Sequence, residues 1–346
     1  MPKPSDLFSV NFFLCFTALS SVAHGGEGDG SNTIPLHRQQ IFDQLRGRAV
    51  HVPAISAASI RALLREQAVL QQLEVQGLGD LSKELLRLLT KGGKLGGPQG
   101  QSISLAQLRE VVAGFPLLGV FGAMDDNYHA AGKLTVHAAM PLTSTTAQLQ
   151  HMAELGRRFG VQPVESSSLT TEETGYRHDL SMSPVAALMD AGSKAAIEDA
   201  AASKKAKKAA GTALTAEDRR SDTDAMPHTR EVLTAGHRLL SMLRLQLASE
   251  AELMTLTLAI ARWRAHGIYL GGQKNAGRGL CTLDLQAERI RGLAGPMPVR
   301  LDGVDLPAHV ESMPGADDVA RAWLDKMASP EQIKLTERAM QILRGA

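Results

Sequence analysis

Apolar and polar positions divide this chain into two well-patterned stretches separated by one without pattern. In residues 9 to 20, Phe12, Leu14 and Phe16 alternate with Phe13, Cys15 and Thr17, the period-two signature of a strand buried in a core. HGGEGDGSN (24–32) is too rich in glycine and polar residues for regular structure, so a loop is predicted to about residue 50. Pro53 then introduces AISAASIRALLREQAVLQQLE, where Ser56 or Ser59 can cap a helix and Ile60, Leu63, Leu64, Leu70 and Leu73 form its apolar face. LSKELLRLLT (81–90) and SLAQLREVVAGF predict two more helices around the connector KGGKLGGPQGQ, and LLGVFG leads to an exposed turn. Residues 132 to 142, GKLTVHAAMPL, alternate like a strand.

From about 160 to 228 the pattern loosens, through TEETGYRHDLSMSP, an alanine-rich segment and KKAKKAAGTALTAEDRRSDTDAMPH, and this marks an insertion. Order returns with EVLTAGHRLLSMLRLQL (231–247), read as one long strand. The following helix, 249 to 265, opens with Ser249 and Glu252 at capping-box spacing. LCTLDLQ (280–286) closes the pattern as a strand, and one or two helices lie around 315 to 343. Strand, helix, strand, insertion, strand, helix, strand is the order of a split βαβ sheet. The predicted fold class is therefore α+β, a ferredoxin-like or RNA-recognition-motif-like core with inserted thumb and loop subdomains. The predicted division is 1–159 and 229–290 for the two parts of the core, 160–228 for the insertion and 291–346 for a C-terminal helical segment.

Composition narrows the function classes. Thirty-seven Lys and Arg against 36 Asp and Glu leave a net charge of +1, so a globally basic, histone-like protein is excluded, although KKAKK (204–208) and the group Lys274, Arg278, Arg289 and Arg291 are locally basic. With only 4% aromatic residues, a nucleic-acid surface would rest on cations and main chain more than on stacking platforms. Cys15 and Cys281, the two cysteines, sit in strand-like apolar segments and read as reduced core residues, and no metal-ligand spacing is present. Residues 7 to 23 have the outline of a secretory signal peptide, but Asn11 interrupts the apolar run and a single cation, Lys3, precedes it, so the alternation favours the strand. Elsewhere no apolar run reaches the length of a membrane span.

The strongest chemical signal is GGQKNAGRGL, residues 271 to 280. Gly271, Gly272, Gly277 and Gly279 alternate with Gln273, Lys274, Asn275 and Arg278 between a helix and a strand. Glycine permits positive φ and close main-chain approach, and clustered N–H groups flanked by cations form a cradle for phosphates. The order helix, glycines, strand is the reverse of the dinucleotide-binding fingerprint, and a phosphate loop ending Gly-Lys-Ser or Gly-Lys-Thr is absent, which disfavours a nucleotide-dependent enzyme.

Five segments in order, the first strand with its glycine-rich loop, PAISAASIRALLR, LLGVFGAM with GKLTVHAAMPL, LTAGHRLLSMLRL, and GGQKNAGRGL, resemble the RAMP superfamily of CRISPR proteins, specifically its Cas-seven-type backbone subunits. ALSSVAHGGEGDGSN and PAISAASIRALLR are most similar to the type IV effector branch. The resemblance implies a cytoplasmic, non-catalytic subunit with no cofactor that polymerises along a guide RNA. Its partners would be the guide, target DNA or RNA paired through it, copies of itself in a row and other CRISPR effector subunits, with no membrane.

It also implies an RNA contact set of Ser59, Arg61 and Arg65 at the start of the first long helix, with Gly271, Gly272, Gln273, Lys274, Asn275, Gly277, Arg278 and Gly279 in the glycine loop. The insertion stands where these subunits carry a thumb-like hairpin, with Met182, Pro184 and Val185 as an apolar wedge between bases. One branch cuts RNA with an aspartate in the loop after the first strand. Asp29 lies in the corresponding loop, but its surroundings depart from that branch's pattern, so no catalytic residue is assigned. Two readings of other classes stay open at this point, a secreted or periplasmic protein with an N-terminal signal and a phosphate-ligand enzyme using the 271–280 loop, for which His237 and His266 are the nearest bases in sequence.

Overall fold

A computed structural model of the protein describes residues 7–26, 33–79, 81–92, 103–124, 129–177, 199, 202, 206, 226–290, 296–298 and 316–345. In chain order the elements are β1 (Phe8–Ala18), β2 (Thr33–Ile34), β3 (Arg38–Asp43), β4 (Arg48–Pro53), α1 (Ala57–Val75), α2 (Lys83–Lys91), α3 (Leu105–Gly114) and α4 (Pro116–Phe121). They continue with β5 (Ala123–Met124), β6 (His129–Ala130), β7 (Leu134–Val136), β8 (Met140–Pro141), α5 (Gln150–Phe159), β9 (Thr170–Arg177), β10 (Met226–Leu233) and β11 (Arg238–Ala248). The last are α6 (Glu250–Ala265), β12 (Ile268–Tyr269), β13 (Leu280–Ile290), β14 (Pro296–Pro298), α7 (Ala316–Met327) and α8 (Pro330–Gly345). They fall into two units: Met1–His24 with His37–Thr170 and Leu233–Ala346, and Gly25–Leu36 with Thr171–Val232.

The larger unit is built on a sheet of order β12-β13-β1-β11-β7. Neighbouring strands are antiparallel, with Phe12 opposite both Leu243 and Ala287. Two βα crossovers, β1-α1-β7 and β11-α6-β13, interleave so that the fourth long strand lies beside the first and the first beside the third. The fold is thus α+β with the strand arrangement of a ferredoxin-like, RNA-recognition-motif-like core. The apolar segment at the start of the chain is its central strand.

Alternation along β1 decides which layer meets which face. Phe12, Leu14 and Phe16 are buried on the face covered by α1 and α6, where the Phe16 and Trp263 rings lie 5.8 Å apart. Each such side chain contributes about 1.5–3 kcal/mol by leaving water. Phe13 and Cys15 face the other way, into a second core of Ile41, Val52, Met140, Met152, Leu155 and Leu240 supplied by the β3–β4 hairpin, β8, α5 and β11. Both faces of the strand are therefore covered over its middle, which explains the near-continuous apolar run. Both cysteines are free and buried, and burial pushes the Cys281 thiol up to about 12.

Three local expectations are corrected. The stretch expected as loop to about residue 50 holds the β3–β4 hairpin, with Ile41 opposite Val50 and Gln39 opposite Val52. The single strand expected over 231 to 247 is two, because the Thr234–His237 segment turns and Gly236 takes φ +89°. LLGVFG is itself part of a short, wholly buried helix begun by Pro116, and residues 125–128, where the turn it leads to was expected, lie outside the described residues. The capping box at Ser249 forms as predicted, and the Glu252 carboxylate that closes it also accepts from Lys133 Nζ at 2.7 Å.

The smaller unit holds a three-stranded sheet of order β2-β10-β9, in which Thr229 pairs in parallel with Thr33 and the Leu36 N–H donates to Glu231 Oε2 at 3.1 Å. Among the described residues, no helix is long and apolar enough to cross a membrane, and no group of three or more His, Cys, Asp or Glu could hold a metal ion.

Candidate nucleic-acid interface

The glycine loop is folded back on the segment that follows β1. Gly272 N–H donates to Ala23 O at 2.6 Å, Gly279 N–H to Ser21 O at 2.8 Å and Leu270 N–H to Gly279 O at 2.8 Å. Two glycines are required here. A Cβ at Gly271, where φ is +75°, would fall 2.2 Å from Ala23 O, and one at Gly279 (φ +83°) would fall 2.2 Å from Leu270 O. Gln273 also takes a left-handed φ of 64°, after which Lys274–Ala276 form one helical turn and Gly277 reverses the chain. The result is a rigid loop whose residues Lys274, Asn275 and Gly277 are exposed.

Cations sit where such a loop can present them. Lys274 Nζ lies 4.7 Å from the centre of the Tyr269 ring, which steers the ammonium without burying it. Arg278 is half-buried and its Nη1 donates to Gln273 Oε1, so the guanidinium braces the turn from within.

The N-terminus of α1 meets this region through a histidine. Ser56 is the cap, its Oγ accepting from Ser59 N–H at 3.2 Å, so Ser59 contributes its main chain to the cap and not its hydroxyl. His24 Nε2 accepts from Ser56 N–H at 3.1 Å and lies 3.2 Å from Ser56 Oγ. His37 N–H donates to His24 O at 2.6 Å, and the two imidazoles meet edge to face at 5.2 Å. Burial, and then the neighbouring His37, hold the His24 pKa below its usual value, which keeps Nε2 an acceptor at neutral pH. Sequence reasoning misses His24 and His37, which lie thirteen residues apart in no recognisable motif. His237 and His266, the bases nearest the loop in sequence, do not join the site. His237 bonds Ser168 O at 3.0 Å, while His266 ends α6.

Arg61 and Arg65, expected at an RNA surface, are directed inward. Arg65 is 6% exposed and donates to Leu89 O at 2.5 Å, Leu88 O at 2.8 Å and Gly122 O at 3.3 Å. Arg61 donates to Leu134 O and, at 2.7 Å, to Phe121 O. The two guanidiniums lie within 6.0 Å of the centre of the Phe121 ring and bond carbonyls at the ends of α2 and α4 and in β7, Leu88 O also accepting from Gly92 N–H at 3.0 Å. Burial, and then the charge of Arg61, lower the Arg65 pKa to about 10. Both are structural groups. Asp29, Met182, Pro184, Val185 and the four lysines of KKAKK lie outside the described residues.

No protein-family model matches the chain, and no curated protein matches it. Among solved structures it is similar to a chain described as a Type IV-B CRISPR complex, with a TM-score of 0.50 and 18% identity over 84% of this chain and 94% of that one. The likeness spans nearly the whole of that chain and is one of fold.

Proposed function

We propose that this chain is a non-catalytic backbone subunit of a CRISPR effector complex, holding the phosphate backbone of a guide RNA while the guide's bases pair with target DNA or RNA. It works in the cytoplasm, beside further copies of itself and other effector subunits. The observation that carries the reading is the glycine loop locked onto Ala23 beside the α1 cap, with Lys274 to Gly277 turned outward. A guide-loaded complex leaves sequence recognition to base pairing, so its protein needs phosphate and shape contacts only. The shared fold supports the same reading.

The covered sheet face supports it further. RNA-recognition motifs stack bases on aromatic side chains of the open sheet. Here the middle of that face is packed under α5 and the β3–β4 hairpin. Contact through a main-chain cradle and its cations suits a chain of this low aromatic content.

Salt dependence of guide binding tests the proposal. Lys274→Ala with Arg278→Ala should weaken guide RNA binding in filter assays and flatten the slope of log affinity against log salt by roughly 0.7 for each phosphate that the variant no longer neutralises. Thermal stability should change little for Lys274→Ala alone, whose side chain is exposed, and fall further when Arg278→Ala removes the brace on Gln273. An unchanged slope removes the loop from the RNA surface.

A further inference from the structure

We propose that His24 is a positioning residue for guide binding: its unprotonated ring latches the glycine loop to the start of α1, and taking up a proton opens the latch. The inference rests on the reading of the 271–280 loop as the guide's phosphate cradle and gives that cradle a dependence on pH.

Three segments meet at His24. The glycine loop is bound one residue before it, through Gly272 N–H to Ala23 O at 2.6 Å, and a Cβ at Gly271 would lie 3.3 Å from the His24 Cβ. The segment before β3 is bound through the His24 carbonyl, which accepts from His37 N–H at 2.6 Å, and His37 O in turn accepts from Ala54 N–H at 3.0 Å. The start of α1 is bound through the ring, where Nε2 faces Ser56 N–H at 3.1 Å and Ser56 Oγ at 3.2 Å. Of these links, only the last runs through a group that titrates near neutral pH.

The protonation state of the ring follows from that geometry. A main-chain N–H can only donate, so the Nε2 it meets must carry a bare lone pair. Ser56 Oγ already accepts from Ser59 N–H at 3.2 Å, which leaves its own proton free for the imidazole. An imidazolium would set its Nε2–H against the Ser56 N–H. It would also put a full positive charge at the N-terminus of a 19-residue helix, where the helix's own partial charge is positive.

The surroundings do not favour such a charge. α1 has no acid in its first turn. From the segment before β3, His37 stands edge to face with the ring, and the glycine loop brings the cations Lys274, over Tyr269, and Arg278, bonded to Gln273. Among the described residues, no carboxylate bonds His24 or His37. Burial first, and His37 second, lower the His24 pKa. A histidine shifted in this direction contributes stability that is complete above its ordinary value of about 6.5 and is lost as pH falls below it. With the latch open, the segment that carries Ser21 O and Ala23 O parts from α1, and the loop seated on those two carbonyls moves with it.

Guide RNA binding by the full chain at pH 7.5 and pH 5.5, at one salt concentration, tests this. Acidification charges the other histidines and by itself strengthens phosphate binding. Against that trend, the parent should bind about tenfold more weakly at pH 5.5. His24→Gln, whose amide oxygen can accept from Ser56 N–H and takes up no proton, should not share the fall. His24→Leu, with no acceptor, should bind about tenfold more weakly than His24→Gln at pH 7.5. The same pH profile in the parent and His24→Gln overturns the proposal. So does affinity that rises with acid in the parent alone, because the imidazolium would then meet phosphate directly.

Amide hydrogen exchange of the free protein, followed by NMR and corrected for the intrinsic effect of pH, supplies a readout without RNA. Protection of the Ser56 and Gly272 amides should fall between pH 7.5 and pH 5.5 in the parent and hold in His24→Gln. If guide binds but that protection does not depend on pH, the latch is wrong while the guide-binding reading stands. If protection falls as expected but no guide binds at either pH, the latch stands and that reading falls.

Discussion

Gly271 and the carbonyl oxygen of Ala23 meet in a contact that no side chain can enter, because a Cβ at position 271 would lie 2.2 Å from that oxygen. Gly277, with almost the same φ of +74°, faces open space. Gly271→Ala should therefore combine backbone strain of about 1–3 kcal/mol with displacement of the segment after β1, and Gly277→Ala the strain alone. Urea unfolding should show the larger loss for Gly271→Ala, with guide affinity falling alongside. Equal losses would contradict the locked loop.

Arg65 is expected to behave as a core residue. Arg65→Met keeps the apolar stem but strips a hydrogen bond from the Leu89 carbonyl, at about 1–3 kcal/mol for a group left buried and unsatisfied, while the Leu88 carbonyl keeps its bond from Gly92 N–H. The midpoint of urea unfolding should fall, while the salt slope of guide binding stays that of the parent protein. A reduced slope with unchanged stability would return Arg65 to the RNA surface.

Asp43 gives the hairpin a pH dependence. The hydrogen bond from Gln148, with those from Thr145 and Arg46 N–H, holds its carboxyl down to about 2, against about 3.9 in an unfolded chain. A pKa lower in the folded state means that the contribution is fully present above about pH 4 and is lost as pH falls toward 2. Asp43→Asn should be less stable than the parent at pH 7, and the gap should close between about pH 4 and pH 2. A gap independent of pH would show that the carboxylate charge does not hold the tip.

What the sequence revealed, and what it concealed, follows from where each signal is stored. The β1 alternation, the Ser249 capping box and the glycine loop are local patterns, and each is found where the pattern puts it. The β3–β4 hairpin was hidden because RQQIFD and RAVHVP carry polar residues on the side away from the second core, and little apolar period remains. On α1, the pattern put Leu70 in the apolar face, yet Leu70 is 42% exposed while Arg65 and Gln72 are buried. Those inversions depend on carbonyl groups of α2 and α3 that come from elsewhere in the chain. The His24–Ser56 link is equally non-local, joining residues 32 apart.

Counting copies on guides of graded length tests the central claim most directly. Native mass spectrometry of complexes assembled on a series of guide RNAs should show the number of copies of this chain rising with guide length until end-capping subunits stop growth. On the proposed reading the guide is a linear template, so each added stretch of it seats a further copy. A copy number fixed at one or two across the series would contradict the backbone-subunit account.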